Sequence, residues 1–174
     1  MKPRIKRLLW ALALAVLAAV LVLANLPEKQ TAAPGTEAGA ELPDFTAVCL
    51  DGSVFRLGEQ RGKVVVINVW ATWCAPCVKE LPNFDRLQRE YPEEVAVLAL
   101  HAPPVTADVP AYLADFSYTI PFTVDEEGSL SEALNVSTVL PQTVILSPDG
   151  IVTYNQSGAI SYETLLDLVD AARR

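Results

Sequence analysis

Residues Lys63 to Leu100 read as a strand, an amphipathic helix and a second strand, and no other stretch restricts the fold so tightly. Val64-Val65-Val66-Ile67 followed by Asn68-Val69-Trp70 is nearly all apolar and β-branched, the pattern of a strand covered on both faces. From Cys77 to Tyr91, Val78, Leu81, Phe84, Leu87 and Tyr91 recur every three or four residues, with Lys79, Glu80, Asp85, Arg86, Arg89 and Glu90 between them. That is helical periodicity. Pro82 lacks one backbone donor and predicts a kink, because the apolar spacing continues past it. Val95 to Leu100 repeats the buried-strand pattern. Two strands joined through a helix lie parallel by a right-handed crossover, so the class is α/β.

The flanking segments add antiparallel pairs. Phe45–Leu50 and Val54–Leu57 enclose Asp51-Gly52 and read as a hairpin, followed by a loop from Gly58 to Gly62. Thr106–Phe116 reads as a helix with a proline-rich entry at Pro103, Pro104 and Pro110, and Gly128–Leu134 as a shorter one. Thr143–Leu146 and Ile151–Tyr154 flank Ser147-Pro148-Asp149-Gly150, which has turn chemistry throughout, and Ser161 caps a last helix containing Thr164–Val169. The expected architecture is a mixed central β-sheet flanked by helices, with an N-terminal β-hairpin.

Ahead of this domain, Leu8 to Leu26 is a run of 19 residues whose only polar member is Asn25. At about 1.5 Å per residue it is long enough to cross a bilayer. Lys2, Arg4, Lys6 and Arg7 precede it, which predicts a cytoplasmic basic end at 1–7, a single transmembrane helix at 8–26 and an extracytoplasmic remainder. A cleaved signal peptide is the alternative. Its apolar region normally runs about 7 to 15 residues before a small-x-small site, whereas Thr31-Ala32-Ala33 is followed by Pro34 and Ala38-Gly39-Ala40 is distant. Residues 27–41, rich in Pro, Glu, Gln, Thr, Ala and Gly, have the composition of a flexible linker, leaving 42–174 as the folded domain. Everything after Leu26, linker included, holds 9 of the 13 bases against all 21 acids, a formal charge of −12, which repels nucleic acid.

The chemistry concentrates at Trp73-Cys74-Ala75-Pro76-Cys77, between the buried strand and the amphipathic helix. Free backbone N–H groups and the helix dipole stabilise an anion there, making Cys74 the expected nucleophile. Cys77, one turn further in, is placed to attack a mixed disulfide formed on Cys74, so that two thiols become one disulfide. Other readings exist. A structural disulfide closing so short a loop constrains little of the unfolded chain. A zinc site needs four ligands, and Cys49 and His101 are the other soft candidates, both in or beside presumed strands. An inert core pair conflicts with Pro76 and the flanking loop.

The stretch VVVINVWATWCAPC followed by KELPNF resembles the active-site segment of the thioredoxin superfamily, and specifically the membrane-anchored reductases of the TlpA and ResA group, with a redoxin-like domain. The apolar N-terminal segment, the hairpin and Leu140-Pro141-Gln142-Thr143-Val144-Ile145-Leu146 ahead of Asp-Gly follow that group's order. The resemblance implies a thioredoxin-like fold and a cis-proline at Pro141 facing the cysteines. It also implies that Leu140 is aimed at a bound peptide; an ordinary trans proline at a strand start is the plainer reading of Pro141. Trp73, Pro76, Leu140 and Pro141 are then the expected substrate-binding residues, with Trp73 shaping the surface around Cys74.

One position departs from the superfamily pattern. Where many thioredoxins carry a buried Asp, this chain has Asn68, which cannot exchange protons. Glu80, three residues past Cys77 on the same helix face, is similar to the acidic residue of the ResA-like group and would serve as the base if buried. A solvated helix charge is the equal alternative. Trp70 is expected in the core, Cys49 as a small buried apolar residue, and His101, the only histidine, as a solvated residue at a strand edge without an assigned role.

These readings describe a thiol-disulfide oxidoreductase at the cell membrane, in the reductase direction. It would use no cofactor beyond its own Cys74–Cys77 couple and bind no metal. The resemblance implies disulfides of exported proteins as substrates, a transmembrane thiol carrier as electron donor, and cytochrome c maturation as one pathway. Two alternatives stand beside it. A peroxiredoxin-like thiol peroxidase would want a threonine three residues before its cysteine, where Ala71 stands. A non-catalytic thioredoxin-like binding module would need no reactive sulfur.

Overall fold

Seven consecutive residues of the first buried strand, Val64–Trp70, are inaccessible to solvent, and the rest of the fold is arranged to cover them. The computed structural model describes residues 35–174. The expected basic end, the membrane segment and residues 27–34 of the linker lie outside the described residues. Among the described residues no helix is long and apolar enough to cross a membrane.

The elements run β1 (Thr46–Val48), β2 (Val54–Arg56), β3 (Val64–Trp70), α1 (Ala75–Glu90), β4 (Val95–His101) and α2 (Val109–Leu113). After these come β5 (Phe122–Val124), α3 (Ser129–Ala133), β6 (Gln142–Leu146), β7 (Val152–Ser157) and α4 (Tyr162–Ala172). β1 and β2 form the hairpin, with Gly52 at φ 84° in its turn, a conformation glycine adopts without strain. The main sheet has the order β5-β4-β3-β6-β7. β3 and β4 are parallel from Val64↔Val95 to Trp70↔His101, whereas β6 is antiparallel to β3 and β7 to β6. The sheet is mixed, as the sequence predicts.

Side chains of β3 alternate between two cores. Val64, Val66 and Trp70 pack with Phe84 and Leu87 of α1 and Leu165 and Val169 of α4. Val65, Ile67 and Val69 pack on the other face with Ala47 and Phe55 of the hairpin, Leu98 of β4 and Leu134. Period-2 alternation with both faces covered accounts for the unbroken apolar run. α1 continues through Pro82 for 16 residues, so the apolar spacing persists across the missing donor.

Four expectations need correction. β5 was not anticipated, since three residues after Pro121 carry too little periodicity to register as a strand. The expected helix Thr106–Phe116 is confined to Val109–Leu113, because Asp108 caps its start by accepting from the Ala111 N–H. The expected loop after β2 begins with a 3-10 turn, Leu57–Gln60. Residues 35–41 do not behave as solvated linker. Gly39 N–H donates to the Val152 carbonyl and Val152 N–H to the Ala40 carbonyl, both at 2.8 Å, and Leu42 N–H donates to Gly150 at 3.2 Å. Small polar residues resemble a linker in composition, but composition does not register backbone pairing.

Phe84 is fully buried between α1 and the sheet, whereas Ser161 caps α4 at the surface by accepting from the Thr164 N–H at 3.2 Å. Urea titration of the two variants should separate these contributions. Phe84→Ala should cost about 4 kcal/mol through lost burial and a cavity, and Ser161→Ala about 1 kcal/mol through one lost cap.

Candidate active site

Three chain segments meet at one edge of the sheet. β3 and β4 both end there, and by register Pro141, just before β6, lies opposite Trp70. The loop Ala71-Thr72-Trp73 leaves β3 at this edge and delivers Cys74 as the N-cap of α1. Its Sγ accepts a hydrogen bond from the Cys77 N–H at 3.3 Å, in the place an oxygen usually fills. Cys74 and Cys77 are joined by a disulfide with their Cα atoms 5.3 Å apart. Cys74 retains 6 % exposure and Cys77 none, so of the pair only the first cysteine has any exposure.

The loop is fastened to the segment after β4. Ala102 N–H donates to the Trp70 carbonyl at 2.9 Å, Thr72 N–H to His101 Nε2 at 3.1 Å, and Trp73 Nε1 to the Pro104 carbonyl at 3.0 Å. Trp73 is 50 % exposed and Pro76 is exposed beside it. The Leu140–Pro141 peptide is cis, and so is Pro103–Pro104, which the sequence reading did not anticipate. Trp73, Pro104, Val136 and Leu140 border a groove of about 390 Å³ next to the disulfide loop. The substrate-binding candidates Trp73, Leu140 and Pro141 are therefore gathered at one edge, with Pro76 on the first turn of α1.

One turn along α1 from Cys77 lies a buried polar chain. Glu80 is 3 % exposed. Its Oε1 accepts from Asn68 Nδ2 at 2.8 Å and its Oε2 from the Ile160 N–H at 2.9 Å. Burial pushes its pKa up to about 7, against the two hydrogen bonds, which favour the carboxylate. Of the two readings of Glu80, the structure places it inside rather than on the solvated helix face. A cleft of about 280 Å³ lined by Pro76, Lys79, Asn83, Ala159 and Ile160 also borders it.

His101 is the site expectation that fails. It is fully buried rather than solvated, because it is the last residue of β4, paired with Trp70, and packs its ring edge-on to the indole at 5.0 Å. Trp70 and Cys49 are buried, Cys49 at the end of the hairpin. Among the described residues no group of three or more His, Cys, Asp or Glu side chains converges. The sequence reading also missed Gln142, whose Oε1 accepts from the Ser137 N–H and whose Nε2 donates to Asn155 Oδ1, both at 2.6 Å. These bonds hold the loop that ends in Leu140-Pro141. A glutamine in an otherwise apolar strand was the available signal.

Comparison with known proteins agrees with this geometry. The Redoxin family model matches residues 37–170. The thioredoxin-like protein YneN of Bacillus subtilis is 32 % identical over 139 residues, covering 78 % of this chain and 81 % of that protein. The thiol-disulfide oxidoreductase ResA of Geobacillus kaustophilus is 31 % identical over 158 residues, covering 89 % and 88 %. Among solved structures, the exposed lipoprotein thioredoxin Etrx1 of Streptococcus pneumoniae superposes with a TM-score of 0.68 at 26 % identity, covering 74 % of this chain and 99 % of that one. A secreted disulfide oxidoreductase of Mycobacterium tuberculosis gives 0.61 at 26 % identity, covering 73 % and 95 %. With its paired cysteines at the head of α1, the chain belongs to the redoxin family, as a thioredoxin-like thiol-disulfide oxidoreductase of the ResA type.

Proposed function

We propose that this chain is a membrane-tethered, extracytoplasmic reductase of disulfides in exported proteins, apocytochromes c among them, recharged by a transmembrane thiol carrier. The observation that carries the reading is the pairing of Cys74, at a helix N-terminus and the more accessible of the two cysteines, with a buried acid, Glu80, one turn beyond Cys77. The apolar run Leu8–Leu26 behind four basic residues supports the tether and the orientation.

In the reduced enzyme, the Cys74 thiolate attacks one sulfur of the client disulfide. A mixed disulfide forms, and the other client sulfur leaves as a thiolate that takes up a proton. Glu80, as the carboxylate, accepts the proton of Cys77 directly or through one water, because Asn68 beside it has no proton to exchange. The Cys77 thiolate then attacks Cys74 Sγ. The second client thiol is released, the client gains two electrons, and the enzyme is left with the Cys74–Cys77 disulfide. The carrier restores both thiols by the reverse exchange. Trp73, Pro76 and the Leu140–Pro141 segment frame the client during attack.

Three measurements test this reading. With insulin as substrate, Cys74→Ser should abolish turnover, and undiminished activity in that variant would remove the oxidoreductase reading; Cys77→Ser should accumulate a mixed disulfide that identifies the client by mass. In single-turnover experiments, client-thiol release should rise as pH increases through about 7, because the active form of Glu80 is the carboxylate. Glu80→Gln should lose that limb and slow release about 100-fold at pH 7, and a wild-type-like profile would sink the role of Glu80. Protease added to intact spheroplasts should digest residues 42–174, and a protected domain would reverse the proposed orientation.

A further inference from the structure

The one histidine of the chain is buried at the active-site edge, and the disulfide exchange above gives it no part. Its Nε2 lies 3.1 Å from the Thr72 backbone nitrogen and 3.4 Å from Thr72 Oγ1. A backbone N–H can only donate, so Nε2 must present its lone pair and the ring proton must sit on Nδ1. Nδ1 is buried and has no acceptor in hydrogen-bond geometry. Burial lowers the pKa of the imidazole from its ordinary value, against the nearby carbonyls of Ala102 and His101, which favours the neutral ring that an accepting Nε2 requires.

A leucine would pack against Trp70 without leaving a buried donor unpaired. What the imidazole adds over an apolar side chain is one acceptor, and that acceptor is spent on Thr72. Thr72 is the middle residue of the three that join β3 to Cys74. Its neighbours are fixed by other means: Ala102 N–H bonds the Trp70 carbonyl at 2.9 Å, and the Trp73 indole bonds the Pro104 carbonyl at 3.0 Å. Nε2 supplies the intervening attachment.

We infer that His101 is a positioning residue for the attacking sulfur: its Nε2 latches the Thr72 N–H and so fixes the loop that aims Cys74 across the groove toward a client disulfide. The inference rests on Cys74 being the nucleophile and deepens that reading. His101 touches neither client nor sulfur in this role; it acts through Thr72 and Trp73. A loop free to swing would leave Cys74 capping α1 but present Trp73, and with it the approach to the sulfur, in several orientations. Misplacement of reacting atoms lowers the rate of attack more than it weakens binding.

The test compares His101→Leu, which removes the acceptor, with His101→Gln, whose side-chain oxygen reaches about as far as Nε2. Amide exchange at Thr72 should accelerate about 10-fold in the leucine variant while Val66, inside β3, stays protected. The kcat for insulin reduction should fall about 10-fold with KM little changed. Glutamine should restore both to within about 3-fold. Unchanged Thr72 exchange in His101→Leu, or a glutamine variant no better than leucine, overturns the inference. Nitrogen-15 spectra of the wild-type imidazole supply an independent check if the leucine variant does not fold. They should show the proton on Nδ1, and a proton on Nε2 refutes the latch. The exchange and tautomer readouts require no turnover, so they stand apart from loss of the oxidoreductase reading, which Cys74→Ser reports.

Discussion

Everything at the reactive edge depends on how β3 is paired. Its parallel partner β4 ends where β3 ends, and its antiparallel partner β6 begins there. One register therefore brings together the exit of two strands and the entry of a third: the Cys74 loop, the His101–Pro104 segment and Leu140–Pro141. A fully parallel sheet would have sent the proline segment to the opposite end. The burial of β3 on both faces makes this register costly to shift, since a slip of one residue would exchange its two sets of side chains between cores.

The electrostatics follow from the same placement. The head of α1 offers backbone donors to a sulfur, favouring a thiolate on Cys74, while the body of the helix carries Glu80 inward, where burial favours the neutral acid. One helix thus sets two opposite preferences within two turns, one for an anion at its mouth and one against an anion beneath. A thiol-exchange centre needs both, a sulfur ready to attack and a group able to hold a proton until the second sulfur is needed.

Much of this was legible in the residues alone. The strand, helix and strand from Val64 to His101 have long, unambiguous periods, and the paired cysteines fall at their junction. What the sequence hid was short or tertiary. β5 spans three residues and owes its existence to the edge of β4 and to the Cys49–Thr123 bridge. The burial of Glu80 depends on the Ile160 N–H, 80 residues away, which no local pattern reports. His101 reads as a polar residue at a strand end, and only the side on which Trp70 packs shows that it points inward. Gln142 and Asn155 form a pair visible only once β6 and β7 are aligned.

On the far side of the sheet from β5, the segment Gly35–Leu42 pairs with Gly150, Ile151 and Val152 at the start of β7. Without it, the backbone N–H and carbonyl of Val152, at the start of β7, would lose their partners on the outer side of the sheet, the kind of border through which separate molecules add strands to one another. Asn155 also donates to the Thr36 carbonyl at 3.1 Å, tying this selvedge to the pair that steadies the proline loop. A version cut at residue 42 would thus free the backbone of Val152 and take the Thr36 anchor from Asn155, whereas one beginning before Gly35 keeps both.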